Sequence, residues 1–192
     1  MIINTIILAG GKSSRMGRDK ALIPIQGIPM LELIYNIVAN ISNQIYIVTP
    51  WQEKYQHLQL PNCQFMKEEK VDAGPLIAFS QGLTAVKSEW VMLLACDLPK
   101  LKVDVLKSWV NQLEGINENI NPQYIAALVK SEKGWQPLCG FYRSSCLGLL
   151  SYFISQGGNS FQRWLEGNYV YNLPLLDDDV LFNCNTPQDL YW

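Results

Sequence analysis

Four cations, Lys12, Arg15, Arg18 and Lys20, and three glycines, Gly10, Gly11 and Gly17, fall within the thirteen residues Leu8–Lys20. Glycines let a backbone turn sharply and approach a ligand closely, and successive N–H groups in such a turn form a concavity that suits an anion. Guanidinium and ammonium groups add full charges to those partial ones. Residues of these types at this spacing suit a polyphosphate, which points to a protein that handles a nucleotide. Spacing excludes two better-known phosphate loops. Gly11-Lys12-Ser13 has the end of a Walker A loop, but the glycine required five positions before Gly11 is Ile6. There is also no G-x-G-x-x-G followed by an acidic residue about 20 positions on, so the dinucleotide fingerprint fails.

Asp97 follows the apolar run Trp90–Ala95 and precedes Leu98-Pro99. In open α/β sheets, ligands bind outside the carboxyl ends of the strands. One carboxylate there, opposite a cationic loop, suits Mg²⁺, which takes one or two carboxylates and leaves other positions to phosphates and waters. An aspartate in Asp-x-Pro is also a common helix cap. Gly74-Pro75-Leu76 supplies a glycine and a helix start, where backbone groups can approach a base or ribose; the same tripeptide also serves simply to begin a helix. Asn183 and Asn185 put two amides on one face of an extended segment, and either also fits as a cap before Thr186-Pro187. His57 belongs to the polar stretch Gln52–Gln59 and is given no role. Trp135 and Gln136 line either a second pocket or an exposed turn.

Elements that position such residues follow from periodicity. Ile2–Leu8 is isoleucine-rich, too short for a buried helix and ended by Ala-Gly-Gly, which predicts a central strand of parallel type. Pro29 opens a helix with Leu31, Ile34, Tyr35, Val38 and Ile41 on one face. Gln44–Val48 and Gln64–Met66 are the next strands, the latter followed by a charged loop, Lys67–Asp72. Gly74-Pro75 starts a helix that is expected to reach Val86. Glu89–Ala95 is a buried strand and Val103–Leu113 a helix. Gly115–Pro122, polar and rich in asparagine, is expected as a loop. Tyr124–Lys130 and Pro137–Arg143 extend the same sheet, Ser145–Ser155 and Ser160–Glu166 are helical, and Tyr169–Leu173 is extended. Strands alternating with helices predict an α/β fold: a doubly wound, Rossmann-like, mainly parallel sheet with helices on both faces.

The chain has 192 residues, enough for one sizeable core, and a single domain over 1–192 is expected. Hydrophobic residues at 48% and charged residues at 17% describe a globular composition. A formal net charge of −2 argues against a protein that coats nucleic acid. The five cysteines form no C-x-x-C pair and have one histidine for company, which argues against a zinc site. Their odd number, with no charged segment ahead of Ile2, favours ordinary thiols in a reducing cytoplasm. No apolar run approaches the roughly 20 residues of a membrane span, so a soluble, cytoplasmic protein is expected.

On these residues the chain resembles the molybdenum cofactor guanylyltransferases, within the larger class of nucleotidyltransferases. The pattern Leu-Ala-Gly-Gly-x-Ser-x-Arg-Met-Gly-x-Asp-Lys stands unbroken at Leu8–Lys20. Gly74-Pro75-Leu76, Cys96-Asp97-Leu98-Pro99 and Asn183-x-Asn185-Thr186-Pro187-x-Asp189-Leu190 follow in the family's order. Related cytidylyltransferases usually read Leu-Ala-Ala-Gly at the first of these. The resemblance implies a nucleotide-diphospho-sugar-transferase-like fold and an enzyme that transfers GMP from GTP to the terminal phosphate of molybdopterin. It implies that Arg15, Lys20 and Asp97 are catalytic and that Asp97 holds Mg²⁺. The nucleotide would meet Leu8, Ala9, Gly10, Gly11, Lys20, Gly74, Pro75, Leu76 and Asp97, and the pterin side would meet Asn183 and Asn185. Glu68 takes the place of an acidic family contact ahead of Gly-Pro-Leu, and Thr49-Pro50 stands where relatives commonly carry asparagine. Implied partners are GTP, molybdopterin, and proteins that supply molybdopterin or mature molybdoenzymes; nucleic acid and membranes are not among them. A nucleotidyltransferase with another base or acceptor (CTP, a sugar phosphate), or a non-catalytic nucleotide-binding accessory protein, stands as the alternative.

Overall fold

Strand β1 (Ile3–Leu8) is buried along its whole length, and the rest of the sheet is laid out from it. The computed structural model describes residues 1–11, 16–70, 73–119, 123–175 and 177–191. After β1 comes a small antiparallel hairpin, β2 (Pro24–Ile25) and β3 (Ile28–Pro29). β1 then pairs in parallel with β4 (Ile45–Thr49) on one side, and β4 in turn with β5 (Cys63–Lys67). On its other side β1 pairs in parallel with β6 (Trp90–Ala95). Beyond β6 lie β8 (Gly134–Arg143), β7 (Ala126–Ser131) and β9 (Val170–Asn172), giving the order β5-β4-β1-β6-β8-β7-β9. β8 alone among these seven runs against its neighbours.

Successive residues of a strand face opposite sides of a sheet, and here they separate into two cores. Ile3, Ile7, Ile47, Trp90, Met92 and Leu94 face α1 (Met30–Val38) and α3 (Val103–Asn119). Ile6, Leu8, Val48, Val91, Leu93 and Tyr142 face α2 (Pro75–Leu83), α4 (Leu147–Ser155) and α5 (Phe161–Glu166). The expected mainly parallel sheet with helices on both faces is therefore observed. A third, small cluster of Met16, Ile23, Met30 and Cys184 seats the end of the basic loop against the C-terminal segment. Among the described residues no helix is long and apolar enough to cross a membrane.

Several elements differ from expectation: α1 stops at Val38, short of Ile41, and β8 begins at Gly134, three residues before Pro137. α3 continues through Gly115–Asn119, expected as a loop. Its buried stripe, Leu106, Trp109 and Leu113, already fixes the helix, and adding residues to a formed helix costs far less than starting one. Residues 120–122 lie outside the described ones. α2 ends at Leu83, because Thr84, Ala85 and Val86 donate to the carbonyls three residues back and tighten the last turn. The β2–β3 hairpin was not anticipated, its arms being two residues each.

The β7–β8 pair depends on a glycine for space. A Cβ on Gly140 would lie 2.7 Å from the Ala127 carbonyl oxygen and 2.6 Å from Leu128 Cδ2. Gly140→Ala is expected to destabilise the protein by about 1–3 kcal/mol, the usual cost of overpacking a core. A lower urea midpoint with an unchanged slope would show this; an unchanged midpoint would show that the two strands separate there at no cost.

Candidate active site

The strand order reverses at β1. The chain leaves β1 toward β4 and β5, with α1 on one face, and then crosses back with α2 on the other face to enter β6 on β1's opposite side. The carboxyl ends of β1 and β6 are thus a topological switch point, the place where an open α/β sheet leaves a crevice. Leu8 is in register with Ala95, and Cys96 N–H donates to the Leu8 carbonyl at 3.2 Å. The glycine loop and the Cys96-Asp97 turn therefore emerge side by side.

Lys20 opens a short 3-10 turn, Lys20–Leu22, capped by Asp19, whose carboxylate accepts the Ala21 N–H at 3.1 Å. From there Lys20 Nζ donates to Asp97 Oδ2 at 3.1 Å and to Asn185 Oδ1 at 2.6 Å. The C-terminal segment reaches this point because Cys184 N–H donates to the Asp97 carbonyl at 2.9 Å. Cys184 is fully buried, and its neighbours Asn183 and Asn185 both line the crevice, as expected for alternate positions of an extended segment. Asp189 fixes Asn185 in turn: one of its oxygens accepts the backbone N–H groups of Asn185 and Thr186, both at 2.7 Å. Those N–H donors hold the Asp189 carboxyl below the usual carboxylate range.

Two cavities meet at Gly10-Gly11. One, of about 440 Å³, is lined by Ala9, Asp19, Lys20, Cys96, Asp97, Asn183 and Asn185, among others. Its neighbour, of about 210 Å³, is lined by Leu8, Gly10, Pro50, Glu68, Gly74, Pro75 and Ala78. Leu8, Gly10, Gly11 and Pro75 border both. Gly10 has no room for a side chain, since a Cβ there would lie 2.6 Å from Glu68 Oε2 and 3.2 Å from Pro50 Cδ. Gly74, with φ 95°, lets the chain turn into α2 at the rim of the smaller cavity.

Most of the described residues singled out in the sequence thus converge here, and two of them, Leu76 and Thr49, point elsewhere. Leu76 has a fully buried side chain that packs into the core with Phe79, so it seats α2 and does not line either cavity. Arg15 lies outside the described residues. Thr49 is fully buried, where its hydroxyl accepts the Trp51 N–H at 3.2 Å, and its neighbour Pro50 is the residue that reaches the cavity. His57 is exposed, and Gln136 lines a separate depression beside Lys130 and Asn172. Tyr55, Asp19 and Asp189 also support the site and were given no role in the sequence, although Asp19 and Asp189 stand within the quoted motifs. For Asp189 a signal existed, since Thr186-x-x-Asp189 is a capping box.

One atom of the site suits Mg²⁺. Asp97 Oδ1 is buried and has no hydrogen-bond partner among the described residues, although the residue lines the larger cavity. Among those residues no three His, Cys, Asp or Glu side chains gather as a cation cage. A carboxylate oxygen without a donor, on a residue that lines the cavity, fits a cation that takes few protein ligands. The adjacent thiol is unsuited to that task. Burial and the Asp97 carboxylate both push Cys96 up, so it remains neutral.

A family model described as the MobA-like NTP transferase domain matches residues 5–170. A probable molybdenum cofactor guanylyltransferase of Nostoc sp. is 56% identical over 188 residues, covering 98% of this chain and 88% of the relative. One from Synechococcus elongatus is 40% identical over 186 residues, covering 96% and 94%. The crystal structure of the molybdopterin-guanine dinucleotide biosynthesis protein A from Archaeoglobus fulgidus superposes with a TM-score of 0.78. It covers 98% of this chain and 95% of its own, and at 21% identity it confirms the fold. With a family model spanning most of its length and guanylyltransferase relatives at 40% and 56% identity, the chain belongs to the MobA-like NTP transferases and, within them, to the molybdenum cofactor guanylyltransferases.

Proposed function

We propose that this protein transfers GMP from GTP to the terminal phosphate of molybdopterin and releases pyrophosphate, in the cytoplasm, with residues 1–192 acting as one unit. The observation that carries the reading is the meeting of Lys20, Asp97 and Asn185 at the switch point of the sheet. An acceptor phosphate oxygen forms a bond to the α-phosphorus of GTP. The bond from that phosphorus to the oxygen bridging the α- and β-phosphates breaks, and its electron pair leaves with pyrophosphate. A phosphate is already anionic at neutral pH, so the chemistry needs no serine nucleophile and no histidine base. The residues have two tasks: to hold two polyanions in line and to absorb charge.

Each cavity suits one part of the ligand pair. The smaller one is largely apolar with a single buried carboxylate, Glu68. Guanine presents adjacent N–H donors on its Watson–Crick edge, and a carboxylate offers two acceptors to match. The backbone of Gly10-Gly11, bordering both cavities, suits the triphosphate between them. In the larger cavity Lys20 is placed to bring its ammonium to the phosphates, with Arg15 assigned to the same charge from its place in the loop motif. Asn183 and Asn185 face the acceptor side, where their amides can orient molybdopterin. Asp97 would hold Mg²⁺, which when bound supplies Lewis-acid neutralisation of phosphate charge.

Release of pyrophosphate with GTP, Mg²⁺ and molybdopterin tests the reading directly, and its absence from the wild-type chain would overturn it. Asp97→Ala is expected to nearly abolish transfer even at saturating Mg²⁺. Lys20→Ala should lose about 2–4 kcal/mol of transition-state stabilisation, in line with the loss of other charge-stabilising donors, roughly 30- to 800-fold in rate. Near-normal turnover by Asp97→Ala would exclude this mechanism.

Base choice has its own test. Glu68→Gln exchanges one acceptor for a donor, which mismatches guanine and matches the edge of adenine. The preference for GTP over ATP, measured as the ratio of kcat/KM values, should fall by at least about tenfold, because a polar site discriminates by leaving buried groups unpaired. An unchanged ratio would remove Glu68 from base recognition.

A further inference from the structure

A fully buried tyrosine stands behind the lysine. Tyr55 follows β4 at the end of a 3-10 turn, Gln52–Lys54, and its ring is part of the core on the α1 face. Its hydroxyl donates to Asp19 Oδ2 at 2.9 Å, and the same oxygen lies 3.4 Å from the Ala9 carbonyl. One phenolic oxygen thus spans the two ends of the glycine loop, Ala9 where β1 ends and Asp19 where the loop closes. Both Asp19 oxygens are engaged: Oδ2 by Tyr55, with Lys54 Nζ 3.8 Å away, and Oδ1 by the Ala21 N–H that starts the turn carrying Lys20. Burial and the neighbouring carboxylate push the Tyr55 hydroxyl up, so it stays a donor across the working pH range.

We propose that Tyr55 is a positioning residue for the transfer reaction. Through Asp19 it fixes the turn from which Lys20 extends its ammonium toward Asp97, Asn185 and the phosphates. The proposal rests on the guanylyltransferase reading above, in which Lys20 absorbs charge on the triphosphate. Loss of the hydroxyl would leave Lys20 in place chemically but with its anchoring turn free to shift. Small misplacements of a charge-stabilising group cost rate strongly, because the stabilisation depends on preorganised geometry. Tyr55 would therefore act on Lys20 and not on the substrate.

Tyr55→Phe in the full chain removes only the hydroxyl and keeps the ring. We expect kcat to fall about tenfold, the scale of one hydrogen bond to a charged group, with KM for GTP changed less than kcat. The decisive measurement is the cycle formed with Lys20→Met. If Tyr55 works through Lys20, Tyr55→Phe should have no further effect once Lys20 is Met. If it only stabilises the fold, the two losses multiply, and that result overturns the proposal. Full activity in Tyr55→Phe overturns it as well. Should the wild-type chain show no guanylyl transfer, the functional reading fails. The same cycle, read in MgGTP dissociation constants, then decides the clamp by the same rule: coupled losses support it and independent losses refute it.

Discussion

Lys20 Nζ lies 3.1 Å from Asp97 Oδ2 and 2.6 Å from Asn185 Oδ1, partners 77 and 165 residues away along the chain. Three segments that share no local sequence context must arrive at one point for this contact to exist, and each is brought there by its own support. The Asp19 cap sets the turn that carries Lys20. β6 delivers Asp97, and Cys184 N–H on the Asp97 carbonyl draws in the C-terminal segment. The Asp189 carboxylate then fixes the Asn185 backbone. The group is partly buried, with Lys20 and Asp97 side chains 18% and 17% exposed. Charge interactions there are screened less than at an open surface.

That convergence depends on the register of two neighbouring strands. β1 and β6 are buried on both faces, and a one-residue slip of either would exchange the residues facing α1 and α3 with those facing α2, α4 and α5. Since Ile7 and Ile6 each have a core to fill, the slip is strongly disfavoured. The register Leu8↔Ala95 therefore puts Gly10 and Asp97 at the same height above the sheet. Packing fixes the backbone, and the backbone fixes the chemistry. The reversal of strand order at β1 does the rest, because it sends the flanking helices to opposite faces and leaves the crevice open.

What could be seen in the sequence was what local pattern encodes. Ile3–Leu8 and Trp90–Ala95 are continuous apolar runs, legible to within a residue, and α1 carries a helical stripe, although the helix stops at Val38, short of the stripe's last member, Ile41. Gly10, Lys20, Asp97, Asn183 and Asn185 stood out because their types are costly or special at strand ends, and the structure brings them to one crevice. The tail of α3 was missed because Gly115–Asn119 has a loop composition but continues a helix already anchored by Trp109 and Leu113. Tyr55 was missed for a different reason. An aromatic residue in a polar stretch gives no sign that its hydroxyl will meet an aspartate 36 residues earlier. Leu76 misled in the opposite sense, since its place in a recurring tripeptide concealed an ordinary core role.

Three aspartates near the crevice show how a structural carboxylate differs from one directed at a ligand. Asp19 uses both oxygens within the protein, on Ala21 N–H and the Tyr55 hydroxyl. Asp189 gathers two backbone N–H donors on one oxygen as part of a capping box. Asp97 is bound to Lys20 through Oδ2 alone, while Oδ1 is buried beside the larger cavity with no donor among the described residues. A buried acceptor without a partner costs on the order of 1–3 kcal/mol, and more when it is charged. A position that served only to anchor Lys20 would be stabilised by turning that oxygen toward an N–H, as Asp19 and Asp189 do. A cation held there, with phosphate oxygens completing its shell, would remove the cost when the substrates bind. In the proposed reaction, a cation held by Asp97 would thus couple the binding of the polyanions to assembly of the reacting geometry.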